Sequence, residues 1–129
     1  MEPNLAPKLD EFLLARIAED KRIAVDAAAA RGRGAWSAEE LTAALGGPAA
    51  EHAARYDPER VLAECSAKRG TVLACRQTRP DLGFLGTRPH GMADFPLSPH
   101  DQHQLAALTL ALLALPYAGH HDYLPEWRP

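Results

Sequence analysis

The stretch Ser98–Pro129, SPHDQHQLAALTLALLALPYAGHHDYLPEWRP, decides how the rest of the chain is read. Ser98 suits an N-cap, Pro99 the first helical position, and Asp101 lies three residues after the cap, near the positive end of the helix dipole. From Leu105 the chain runs LAALTLALLAL, with Leu105, Leu108, Leu112 and Leu115 on one face and Leu110 and Leu113 on its flanks. A helix apolar nearly all round is either a central core helix or a membrane span. Eleven residues fall short of the about 20 that a bilayer requires. The stretch therefore predicts a central, buried last helix.

Pro116 stops that helix, and residues 116–129 form a strap that concentrates Tyr117, His120, His121, Tyr123 and Trp127. The ordinary reading of such residues is that their rings cover the edge of a core while their polar ends reach water. The sharper reading is a surface for a partner, because Tyr, Trp and Arg concentrate in binding patches. Tyr117, His120, Tyr123 and Trp127 are the candidates for that surface, joined by Arg79 and Arg88 from the preceding loop.

Upstream, Leu9, Phe12, Leu13, Ile17, Ile23, Ala24 and Ala27 follow the three-to-four spacing of an amphipathic helix that starts at Ala6 or Pro7 and ends at Arg31. Gly32-Arg33-Gly34 closes it. Ser37-Ala38-Glu39-Glu40 is a capping box for a short helix through Leu45, and residues 48–56 make another. Asp57-Pro58 pairs an N-cap with a first-position proline and opens a third main helix to about Cys75, burying Val61, Leu62, Cys65, Val72 and Leu73. Residues 77–97 hold Pro80, Gly83, Gly86, Pro89, Gly91 and Pro96 with no sustained period, which predicts a long loop of the functional or disordered kind. No stretch reads as a convincing strand. The expected fold is a single all-α domain over residues 1–129: a small helical bundle with a long Pro/Gly-rich loop before a central hydrophobic last helix.

Composition narrows the class further. A chain of 129 residues with 47% apolar content can bury a real core and is not disordered. Two cysteines do not make a disulfide framework, and Cys65 and Cys75 on one helix would stand about 15 Å apart, too far to bridge. No signal peptide, hydrophobic span or lipidation motif is present, so the expected location is cytoplasmic, with no membrane partner. A net charge of −3 argues against a dedicated nucleic-acid binder. The basic run over residues 55–88, with Arg55, Arg60, Lys68, Arg69, Arg76, Arg79 and Arg88, is the one feature that favours nucleic acid as an alternative partner.

Three stretches carry a resemblance: EFLLARIAED near the start, HAARYDPERVLAECSAKR in the middle, and the ending LALLALPYAGHHDYLPEWRP. Together they resemble a family of small uncharacterised proteins of actinobacteria and their phages, marked most specifically by the ending PYAxHxDYxxEWRP. The resemblance implies a zinc site: a histidine where Cys75 stands, a Cys-x-x-Cys in the loop, and a further cysteine just before the last helix. This chain departs from that pattern, with no cysteine in the loop and Ala107 near the last position. It offers Cys75, His90, His100 and His103 instead, a set that can rebuild a four-ligand tetrahedral zinc site clamping the 77–97 loop. Without the paired cysteines no cofactor is expected, and Phe84, Leu85, Met92 and Phe95 are expected to hold the loop by packing.

An enzyme reading finds no assembled machinery. His100-Asp101 and His121-Asp122 each put an acid beside an imidazole, but neighbours on a helix point about 100° apart. There is no HExxH, Walker loop, G-x-S-x-G or dinucleotide fingerprint. The sequence thus predicts a small non-enzymatic helical protein that binds another macromolecule, most simply a protein, as an accessory or phage-borne regulatory or inhibitory factor.

Overall fold

The structure, a computed structural model, describes residues 5–78 and 98–129, without the side chains of 5–8. The chain is all-α, as the sequence predicts. Among the described residues there are five helices: α1 (Leu5–Arg31), α2 (Ala38–Leu45), α3 (Gly47–Arg55), α4 (Pro58–Gln77) and α5 (Pro99–Ala114). Two short 3-10 turns follow, Leu115–Tyr117 and Pro125–Trp127. The contacts gather into two compact units, one made of residues up to Arg16 and from Arg69 onward, the other of Ile17–Lys68.

In the second unit the connections are fixed by caps. Gly32 ends α1 at φ 78°, a backbone conformation that glycine adopts without a Cβ clash, and its N–H reaches the Ala29 carbonyl at 3.2 Å. Ser37 Oγ accepts from the Glu40 N–H (3.3 Å), and Glu40 Oε1 accepts in return from the Ser37 N–H (2.6 Å), completing the capping box. Asp57 does two jobs. Its Oδ1 caps α4 by accepting the Arg60 N–H (2.9 Å), while its Oδ2 accepts the Trp36 N–H (3.0 Å) and so ties the α1–α2 connection to the start of α4. Ile17, Ala24, Leu41, Ala50 and Cys65 are buried here. Ile23, expected inside, is exposed. From Ile17 the buried line passes seven residues on to Ala24, and Ile23 lies about 100° away around the helix.

The first unit is closed by its C-terminal strap. Ser98 Oγ caps α5 by accepting the Asp101 N–H at 3.1 Å. After Pro116 the chain advances in tight turns, with N–H to carbonyl bonds from His120 to Tyr117 (2.9 Å), Tyr123 to His120 (3.0 Å) and Trp127 to Leu124 (3.0 Å). These turns bring four rings around Phe12 of α1: Tyr117 at 6.4 Å, His120 at 5.6 Å, Tyr123 at 6.0 Å and Trp127 at 5.1 Å between centroids. The first three meet it near edge-on, the arrangement that ring quadrupoles favour. Asp10, two residues before Phe12 on α1, is buried and forms an ion pair with Arg76 of α4.

The last helix is buried as expected, but on the other face. Ala106, Ala107, Leu110, Ala111 and Ala114 point inward. Leu105, Leu112 and Leu115, assigned to the core from their spacing, are 43%, 51% and 37% exposed. The remaining core of this unit comes from Leu9, Phe12, Leu13, Val72, Cys75, Tyr123 and Trp127. An inner face made mostly of alanine lets a helix approach its neighbours closely.

Trp127 is 2% exposed, and replacing it by alanine is expected to cost about 3–5 kcal/mol, the range for large aromatic truncations in cores. A Trp127→Ala chain that melts within a degree of wild type would contradict this placement. Tyr123 gives the opposite expectation. Its hydroxyl is buried with no hydrogen-bond partner among the described residues, and an unsatisfied buried polar group costs about 1–3 kcal/mol. Tyr123→Phe should therefore melt at or above the wild-type temperature in a calorimetric scan.

Candidate functional site

The strap was the leading candidate surface, and the structure divides its residues. The rings of Tyr123 and Trp127 are buried against Phe12 and against each other, 5.6 Å apart and nearly perpendicular, so they are not open to a partner. Tyr117 and His120 are half-buried. His120 lies under Arg16, whose Nη1 contacts both ring nitrogens (2.9 Å to Nδ1), and His120 Nδ1 accepts the Asp122 N–H at 3.0 Å. What the strap turns outward is His121, Asp122, Glu126 and Arg128. Beside it, Glu11, Phe12, Arg16, Asp122, Leu124 and Trp127 line a shallow cavity of about 350 Å³. Arg79 and Arg88 lie outside the described residues, as do His90 and the expected loop from residue 79 to 97 with Phe84, Leu85, Met92 and Phe95.

The zinc candidates do not assemble among the described residues. Cys75 is buried near the end of α4 and lines a groove of about 290 Å³ with Ala74, Thr78, Leu105, Ala106 and Thr109. Burial pushes its thiol above the ordinary value. His100 is exposed and accepts from Gln104 Nε2 at 2.9 Å, and His103 is half-buried one turn along. The donors that do come together are His120, His121 and Asp122, each with one ligand atom within 4.8 Å of the others. On a helix the neighbours His121 and Asp122 would point about 100° apart, but residues 120–122 lie in a turn. The turn itself, closed by the Tyr123 N–H on the His120 carbonyl, is what gathers them.

Two features of the surface escaped the sequence. The first is the outward face of α5. Leu105, Leu108, Leu112 and Leu115 are spaced three, four and three apart, the seam spacing of a coiled-coil helix, and three of the four are exposed. Leu105 also lines the groove beside Cys75, which extends the apolar surface toward α4. The second is a groove of about 330 Å³ in the second unit, lined by Ile23, Ala27, Trp36, Tyr56, Val61 and Cys65 among others. Trp36 is fixed there, its indole N–H donating to the Arg33 carbonyl at 2.9 Å and the Arg31 guanidinium 5.5 Å over its ring. Burial also raises the Cys65 thiol, with nearby Asp20 adding to the effect.

The basic run is partly neutralised in place. Arg60 is paired with Glu64 at 2.9 Å and lies over the Tyr56 ring, and Arg76 is held by Asp10. No helix among the described residues is long and apolar enough to cross a membrane.

These elements define a small all-α protein. Residues 6–129 match the model of a family of unknown function, DUF6221, and the chain belongs to that family. No curated protein and no solved structure matches it.

Both thiols lie above their ordinary value of 9.0 because they are buried. In the unfolded chain they ionise first as pH rises, so the stability they contribute is complete below about pH 9 and is lost as pH climbs through the raised values. A disulfide reagent at pH 8 is expected to label the native protein about tenfold more slowly, or slower still, than the protein in denaturant, since only the exposed thiolate reacts. Equal rates in the two states would show that the cysteines are open.

Proposed function

We propose that this protein acts without catalysis, by binding another protein, and that the leucine face of α5 is the contact. The observation that carries this reading is the face α5 turns outward: its alanines and Leu110 are inside, while Leu105, Leu112 and Leu115 are out. A contiguous apolar stripe on a surface is the ordinary mark of an interaction site. The occupant that fits it is an amphipathic helix of the partner with apolar residues at the same three-four spacing, since such a helix interlocks with a seam of leucines. Between Asp101 and Asp122 the chain carries no Asp, Glu, Lys or Arg, so a wholly apolar helix face meets no fixed charge here. Complete burial of a leucine contributes about 1.5–3 kcal/mol, and covering the half-exposed ones contributes roughly half that each.

The resemblance to proteins of actinobacteria and their phages supports an accessory role in the cytoplasm, regulating or inhibiting the partner. The two other readings have less behind them. A zinc clamp on the 77–97 loop would need Cys75 as a thiolate and His100 and His103 gathered beside it. Nucleic-acid binding through residues 55–88 would draw on a run in which Glu64 and Asp10 already engage Arg60 and Arg76.

Leu112→Asp tests the proposal. The side chain is exposed, so the substitution should shift stability by no more than about 0.5 kcal/mol. The tagged protein, expressed in an actinobacterial host, is expected to co-purify with one enriched protein. Recovery should fall by about thirtyfold with Leu112→Asp, the equivalent of 2 kcal/mol at an interface hot spot. An exposed control, Glu39→Lys on α2, should retain the partner. Equal recovery by the wild type and Leu112→Asp would remove α5 as the contact.

A further inference from the structure

We propose that the turn His120–His121–Asp122 binds one divalent transition-metal ion of the zinc class, held by two imidazole nitrogens and one carboxylate oxygen. The site is separate from the leucine face and from the Cys75, His90, His100 and His103 set. Its geometry is close to what such an ion needs. With bonds of about 2.0–2.2 Å, neighbouring donors of a tetrahedral zinc stand roughly 3.4 Å apart. His121 Nε2 and Asp122 Oδ1 are already 3.5 Å apart, and a ring nitrogen of His120 lies within 4.8 Å of both. Small rotations of His121 and Asp122 close the remaining distance, and both side chains are free to make them, at 83% and 63% exposure.

The third donor is held in place. The His120 ring meets Phe12 edge-on and stacks on His121 at 4.3 Å with the planes 25° apart, so exposed His121 must turn off the stack for both in-plane lone pairs to meet one ion. His120 Nδ1 accepts the Asp122 N–H and also meets Arg16 Nη1 at 2.9 Å, so an ion would take that lone pair in place of both donors. One ordered and two mobile donors from three successive residues lower the ordering cost of chelation relative to donors scattered along a chain. Nitrogen and carboxylate donors select zinc-like ions over calcium or magnesium, which prefer all-oxygen shells. Arg16, lying against His120, opposes the added positive charge. The carboxylates of Glu11 and Asp122, which line the same cavity as Arg16, offset it. Three protein donors leave a fourth position for water, as in open zinc sites.

The test is isothermal titration of zinc chloride into the tag-free full chain. One equivalent is expected to bind, and His121→Ala and Asp122→Asn should each weaken binding at least about tenfold, the least that loss of even a supporting group costs a metal site. Because both side chains are exposed, the metal-free variants should melt with the wild type, which separates lost ligands from lost folding. The double variant His100→Ala/His103→Ala should bind as the wild type does. Absence of a stoichiometric zinc, unchanged affinity in His121→Ala and Asp122→Asn, or loss of binding in the His100→Ala/His103→Ala chain would each overturn the proposal.

Discussion

The ring of Phe12 is the constraint on which the first unit depends. It sits in the early turns of α1, and the strap wraps four rings from residues 117–127 around it. The strap has no long helix of its own, only short 3-10 turns, and such turns are marginal alone. Their order comes from burial of the rings. Two buried polar groups, the Tyr123 hydroxyl and the Trp127 indole N–H, are left without partners among the described residues. Apolar packing of the same side chains must outweigh that cost, which identifies shape and not hydrogen bonding as the force that seats the strap.

The inward face of α5 is mostly small, Ala106, Ala107, Ala111 and Ala114 with Leu110 among them. A tight core accepts such a face without overpacking. Leu105, Leu112 and Leu115 are then at the surface, where the proposed contact would use them. The choice of inward face that buries the alanines thus leaves the apolar stripe outside. The same wrapping brings His120, His121 and Asp122 onto one side of a turn, while Cys75, His100 and His103 stay apart.

Much of the architecture was legible because it is local. Caps at Ser37, Asp57 and Ser98, the stop at Gly32 and the break at Pro116 are set by residues within four positions of one another, and each helix begins and ends close to where they predict. The choice of face was not legible. The stretch LAALTLALLAL is apolar on every side, so periodicity cannot rank its faces, and ranking by side-chain size chose the leucines. The decision rests on what lies opposite in the folded unit, which no pattern local to the stretch states. The strap shows the same limit. Tyr123 and Trp127 read equally well as an interface or as a core edge until the aromatic ring that receives them is located. For the metal candidates, family resemblance directed attention to Cys75 and the loop. The three donors that gather do so through a backbone turn that no spacing rule for helices describes.

The ion pair between Asp10 and Arg76 carries a consequence for how such a sequence can drift. Asp10 is buried, and its carboxylate is balanced by a guanidinium 66 positions away. The two members are not equal, because the Arg76 side chain is 44% exposed. Loss of Arg76 strands the buried carboxylate, whereas loss of Asp10 leaves a guanidinium that can turn to water. A divergent lineage should therefore give up Asp10 before Arg76, and an aspartate at position 10 facing an apolar residue at position 76 should be the seldom-kept combination.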